Sequence, residues 1–228
     1  MPVGTPSPVR RSPLYHWHVG RGARLVEMDG WQVPLSYTDP RQETEAARNG
    51  LGLADVSPFA KLCLRGPGVT AVAAALGNVG ARSVSRIGAG LSCRLAEDCL
   101  FLLAASTSLA GFVEPSSSSA QIVRTDITSA YAGFALVGKY VETLVGRLSS
   151  LDVGSPAFPE GSCAETELAG VHALLVRPPA SSVSEMGVYV AWDVGEYVWE
   201  ALLGAGRDLS IVPVGLEPMT LLGAARAI

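Results

Sequence analysis

A strand–glycine–helix pattern occurs twice in this 228-residue chain, and its two glycines, Gly66 and Gly138, lie 72 positions apart. Around Gly66 the order is Asp55-Val56-Ser57, then Leu62 and Leu64, then Val69, Val72, Ala73 and Leu76. Around Gly138 it is Asp126-Ile127-Thr128, then Phe134 and Leu136, then Val141, Leu144, Val145 and Leu148. Counted from each glycine, the apolar positions are −4, −2, +3, +6, +7 and +10 in both copies. The first two keep the two-residue period of a strand, and the last four share one face of a helix. Such a duplication predicts an α+β fold of two pseudo-equivalent lobes, each an antiparallel sheet with packed helices. The cleft between them is a natural ligand site.

Bulk properties exclude several classes of function. A hydrophobic content of 48% with 17% charged residues suits a globular protein with a real core. The net charge is −4 and the 17 basic residues are scattered, so no nucleic-acid footprint is expected. The first 15 residues lack the apolar stretch of a signal peptide, and no 18-residue apolar run marks a membrane span, so a cytoplasmic location is expected. Cys63, Cys93, Cys99 and Cys163 show no zinc spacing, and Cys63 among leucines reads as a buried thiol.

Local signals place further elements. Residues 1–12 read as a loose arm, and Asp29-Gly30 as a hairpin turn. Asp39 and Pro40 open a helix with Gln42 completing a capping box, and Asn49-Gly50 ends it. Strands are expected near 91–95 and 100–103 around a solvated Ala96-Glu97-Asp98 turn, and again near 171–176 and 188–192. Residues 115–119 read as a surface loop. Asp193 is expected to cap a helix whose buried stripe is Val194, Tyr197, Val198, Ala201 and Leu202. His16 and His18 would share a face if they stood on a strand, as some metal sites require, but no further ligand cluster accompanies them and no metal is expected. No G-x-S-x-G elbow is present, and the residues alone assign no catalytic group.

Several segments carry a family resemblance. Ser12-Pro13-Leu14-Tyr15, Gly22-Ala23-Arg24, Asp29-Gly30-Trp31-Gln32-Val33-Pro34, Tyr37, Gly52-Leu53-Ala54-Asp55-Val56-Ser57 and Leu64-Arg65-Gly66-Pro67 resemble, in order and spacing, the glycine-cleavage T-protein. That enzyme is a tetrahydrofolate-dependent aminomethyltransferase. The resemblance implies a flexible arm over 1–12, one lobe from 13–57 with 127–228, and an inserted lobe over 58–126. It also implies a pterin held in the central cavity, and a shortened form expected to lack the family's C-terminal barrel domain. Its functional residues carry over unevenly. The family's Asp-Asp segment is missing after Gly88-Ala89-Gly90-Leu91, a tyrosine is replaced by Ser92, and two arginines correspond to Met219 and Gly223. The glutamate of a Gly-Glu segment survives as Glu185, which the resemblance makes the cofactor-binding residue.

A second likeness runs through Arg94-Leu95-Ala96-Glu97-Asp98 and Ala157-Phe158-Pro159-Glu160-Gly161-Ser162-Cys163. Both segments resemble the gamma subunit of heterotetrameric sarcosine oxidase, a shortened member of the same superfamily. The K-G-C-Y-x-G-Q-E motif of the iron–sulfur assembly branch is absent. The resemblance therefore implies tetrahydrofolate-linked one-carbon metabolism by an aminomethyltransferase-like folate-binding protein. The alternative is a non-catalytic gamma-type subunit assisting a flavin-dependent sarcosine- or dimethylglycine-type oxidase. The expected partners are a folate small molecule and either a second copy of the chain or a flavoprotein oxidase.

Overall fold

The computed structural model describes residues 9–88, 90–104, 106–107, 121–154, 156–179 and 183–224, and the loop expected at 115–119 lies outside them. The chain enters through the short helix α1 (Tyr15–Gly20) and a hairpin of β1 (Arg24–Met28) and β2 (Trp31–Ser36). Asp29 and Gly30 both take positive φ, 46° and 77°, as a two-residue turn matched to strand twist requires. Arg10, expected in the loose arm, is tied to this hairpin by backbone bonds with Gly30 and Gln32, and its guanidinium lies 4.5 Å over the Trp31 ring.

Helix α2 (Pro40–Asn49) starts as its sequence predicts, with the Asp39 carboxylate accepting from the Arg41 and Gln42 N–H groups. The side chain that folds back over the entry is Glu43, one residue beyond the expected Gln42, which is exposed. Its Oε1 accepts from the N–H of Tyr37 (2.6 Å) and Thr38 (2.5 Å), and its Oε2 accepts from that of Gly215 (3.0 Å). A buried carboxylate is tolerated here because backbone donors surround it.

Next come β3 (Leu51–Asp55), β4 (Lys61–Arg65), α3 (Val69–Ala75), β5 (Ser83–Ile87), β6 (Gly90–Ala96), β7 (Cys99–Ala104) and β8 (Val123–Asp126). They are followed by β9 (Tyr131–Gly138), α4 (Val141–Leu148), β10 (Ser162–Leu168), β11 (Val171–Arg177), β12 (Glu185–Ala191), α5 (Gly195–Ala205), β13 (Ile211–Pro213) and α6 (Leu216–Leu222). Strands β3 to β13 join one sheet in the order β13-β3-β9-β12-β11-β10-β5-β6-β7-β4-β8. All its pairings are antiparallel except β13 with β3. No helix among the described residues is long and apolar enough to cross a membrane.

Both copies of the repeat are built as read, and their glycines are required by the backbone. Gly66 and Gly138 have φ of 131° and 124°. A β-carbon on either would lie 2.2 Å from a carbonyl oxygen, that of Gln121 or of Ala47. The copies are also interlocked. Asp55 Oδ1 accepts from the Ser57 N–H, and the Ser57 hydroxyl in turn accepts from the N–H of Gly133 on β9 (3.1 Å). Asp126 Oδ1 accepts from the Thr128 N–H, and the Thr128 hydroxyl accepts from the N–H of Lys61 on β4 (3.0 Å). Gly133 and Lys61 each stand five residues before their repeat's glycine, so each turn docks on the equivalent point of the other copy.

Alternation along the strands sorts the core into layers. One layer runs through the whole sheet, taking Cys63 and Phe101 from β4 and β7 and Ala135, Val137 and Tyr189 from β9 and β12. The opposite faces carry separate layers, one under α4 and α5 and one under α3. Helix α5 departs from its predicted stripe. Asp193 caps nothing and sits in a single 3-10 turn, Trp192–Val194. Gly195, Val198, Trp199 and Leu202 are the buried positions, while Tyr197 is 55% exposed and donates its hydroxyl proton to the Ala169 carbonyl. Gly195 sets this rotation, because even a β-carbon there would come within 2.7 Å of Ala132, and the next contacts follow at three- and four-residue steps.

Candidate functional site

Two buried polar centres flank the interlocked turns. The first joins α1, β2 and β3. His18 Nε2 lies 2.9 Å from Asp55 Oδ2, and the Tyr37 hydroxyl lies 2.7 Å from His18 Nδ1. Burial works against the charge on Asp55, but hydrogen bonds from His18, Ser12 and Ser57 hold its carboxyl below the usual range. Burial and the nearby Asp55 and Glu43 push the Tyr37 phenol up, so it keeps its proton and donates to Nδ1, leaving Nε2–H to donate to Asp55. Tyr37 also borders a cleft of about 240 Å³ beside α2 and β13, but its hydroxyl is turned inward to His18. The relay is closed and ties the N-terminal helix to the first repeat. His16 and His18 stand on a helix and not on a strand, and there a two-residue step turns about 200°, so they do not share a face. His16 is exposed, and among the described residues no three potential ligands gather around a metal position.

The second centre is Lys61. Its Nζ donates to the carbonyls of Ser57 (2.9 Å) and Phe59 (2.8 Å) inside the shared core layer. Burial pulls its pKa from 10.5 down to about 7, against the opposing pull of Asp55 and Asp126. Between those values the unfolded chain holds a proton that the folded chain does not. Stability therefore rises with pH, by up to about 1.4 kcal/mol per unit. Above pH 9 burial makes the thiols of Cys93, Cys99 and Cys163 act oppositely, raising the latter two to about 11 and about 12 while they ionise in the unfolded chain. Urea-unfolding midpoints are expected to climb from pH 7 to a maximum near 9 and then fall, and Lys61→Met is expected to flatten the climb.

The positions that the T-protein resemblance assigns to the pterin can be tested one by one. Glu185 opens β12, is buried, and lies 3.6 Å from the guanidinium of Arg86 on β5. Arg86 also donates to the Pro179 carbonyl at 2.9 Å. Ser92 is committed to the core, donating to Asn78 Oδ1 at 2.6 Å. Met219 is 2% exposed and lines a narrow apolar slot, with room for little more than a water, together with Val33, Val56, Phe59, Val214 and Leu216. Gly223 supplies the left-handed C-cap of α6 at φ 76°. An opening the size of a bicyclic ring would leave accessible surface on its walls, yet Val84, Leu91, Cys93, Phe101, Val137 and Tyr189 are each at most 7% exposed. Apart from Glu185, the residues present do not fit a folate held between the lobes. Sequence reasoning missed His18, Tyr37, Asp55 and Lys61 as a polar framework, and only the repeated Asp-x-Ser/Thr turn could have signalled it.

A duplicated α+β unit with one sheet running through both halves defines the class: a two-lobed protein of the aminomethyltransferase type. The chain belongs to the GCVT N-terminal domain family, which it matches over residues 14–96 and 87–225. It is 28% identical to an aminomethyltransferase of Halothermothrix orenii over 91% of this chain and 62% of that protein, so it spans less than two thirds of that relative's length. Among solved structures, it resembles the glycine cleavage system aminomethyltransferase T of Bartonella henselae (TM-score 0.72, 20% identity), covering 94% of this chain and 62% of that one. It also resembles a chain of heterotetrameric sarcosine oxidase from Corynebacterium sp. U-96 (TM-score 0.63, 18% identity), covering 90% of this chain and 99% of that one.

Proposed function

We propose that this chain serves tetrahydrofolate-linked one-carbon metabolism in the cytoplasm as an aminomethyltransferase-like module. In this reading it assembles with a flavin-dependent amine oxidase and performs no transfer of its own. The observation that carries the reading is the loss of the pterin contacts, with Ser92 bound to Asn78 and Met219 buried, in a fold shared with a chain of heterotetrameric sarcosine oxidase. The filled core between the halves supports it too. Residues 13–57 with 127–228 would form one lobe and 58–126 the other, a division supported by the five strands β4 to β8 lying together at one end of the sheet.

The test is isolation of the tagged chain from its native cells. The expected result is a stoichiometric complex with flavin absorbance and N-methyl amine-dependent peroxide formation. A chain that elutes alone, or only with itself, overturns the reading. A second reading, a folate-binding transferase, draws on the buried Glu185 bridged to Arg86 across the sheet. Calorimetric titration with tetrahydrofolate tests it. Micromolar binding weakened at least tenfold by Glu185→Ala would establish it, and no heat up to millimolar ligand would remove it.

A further inference from the structure

Tyr189 occupies the middle of the shared core layer. It stands on β12 directly opposite Gly133 of β9, and Gly187 lies two residues before it on the same face. A β-carbon at Gly133 would come 3.0 Å from the ring's Cε1, and one at Gly187 would come 2.9 Å from its Cε2. The ring therefore lies flush on a floor made by two glycines. Lys61 closes the space from the other half of the sheet. Its Cε is 3.3 Å from the same Gly133 position, and its Nζ is 6.0 Å from the ring centroid. Tyr189 is 3% exposed and Lys61 2%. The ring's hydroxyl lies 3.4 Å from the Gly187 β-carbon position, two residues along β12 from Glu185, which the family resemblance assigns to the cofactor.

We propose that Tyr189 is a built-in plug: its own ring fills the glycine-floored space between the two halves, and this chain holds no reduced pterin there. The strand geometry gives a physical reason for the plug to persist. Glycine in a strand leaves a gap over the backbone, and an aromatic residue directly across covers it with apolar contact. A planar ligand would have to displace a well-packed ring and the stem of a buried lysine, and then replace both sets of contacts. The proposal rests on the family assignment and is independent of the oxidase-subunit reading. Association with a flavoprotein would neither support nor oppose it.

The experiment titrates the full chain with tetrahydrofolate by calorimetry, and titrates wild type and Tyr189→Ala with indole as a planar probe. Wild type is expected to show no saturable heat up to 1 mM with either compound. Tyr189→Ala is expected to gain at least tenfold in affinity for indole and to be raised in melting temperature by it. Tyr189→Leu, which keeps part of the packing, provides a second test should the alanine variant not fold, with a smaller gain expected. Micromolar binding of tetrahydrofolate by wild type overturns the proposal. So does a folded Tyr189→Ala or Tyr189→Leu chain that gains no affinity for indole.

Discussion

Gly138→Ala is expected to unfold the chain under conditions where the wild type is fully folded, and Gly66→Ala to do much the same. Two independent penalties fall on one atom. The φ of 124° at Gly138 is one that L-residues rarely adopt, worth about 1–3 kcal/mol of strain. The added carbon would also lie 2.2 Å from the Ala47 carbonyl oxygen and 2.6 Å from that of Gly50. Neither oxygen can withdraw cheaply. Ala47 lies in α2, and the Gly50 carbonyl accepts from the Lys139 N–H at 3.0 Å. Strain and clash together are expected to cost about 3 kcal/mol or more, a large share of a domain's stability of about 5–15 kcal/mol. Gly146, on the exposed side of α4 with open space around it, provides the control. Alanine there should stabilise by roughly 0.5–1 kcal/mol, since a helical glycine gives up backbone entropy for no contact. Urea titrations of the three variants would show opposite signs for glycines eight residues apart.

His18→Leu is expected to cost about 3 kcal/mol, since it takes a charge-assisted hydrogen bond from a buried carboxylate and leaves that charge undersatisfied. Leucine fills much of the space but leaves the Asp55 carboxylate without its 2.9 Å donor and the Tyr37 hydroxyl without its acceptor. A pH dependence distinguishes this from simple loss of packing. In the wild type the depressed Asp55 pKa contributes stability above the unfolded carboxyl's 3.8 and loses it as pH falls through the folded value. Without His18 the burial penalty prevails, the carboxyl titrates above its unfolded value, and the variant should gain on wild type as the solution is acidified. Asp55→Asn should cost far less, about 1 kcal/mol. Its amide can donate to the other imidazole tautomer while its oxygen still accepts from the Ser57 N–H. Equal losses for the two substitutions, with no acid recovery, would refute the account.

What could be read from the chain depended on the distance over which each instruction acts. The repeat was legible because a strand, a glycine with positive φ and a helix face are all specified within 15 residues of one another. The Asp29-Gly30 turn and the Asp39 cap were legible for the same reason. Their pairing was not, since nothing local says that the turn of one copy docks on the strand of the other. The His18 relay joins residues 19 and 37 positions apart, and the spacing of His16 and His18 did not tell a strand from the helix on which they stand. The stripe of α5 was misplaced by one step because a contact at Gly195, made with the sheet, sets the rotation of the whole helix. At the pterin positions the sequence showed which groups had changed. Only the packed core shows what replaced them: Ser92 bound to Asn78, Met219 in an apolar slot, and Tyr189 across the middle.

The interlocked turns also bear on how the protein is made. Ser57 finds its partner Gly133 76 residues downstream, and Lys61 finds Thr128 67 residues downstream. At roughly 5–20 residues per second, synthesis takes about 4–15 s to cover the longer gap. Through that interval β3 has emerged but its neighbour β9 has not, and the amide edge it will use stays unpaired. The first copy therefore cannot finish folding on the ribosome before the second appears. Both should set in a single late step, and during the wait the nascent N-terminal half is a natural client for a chaperone.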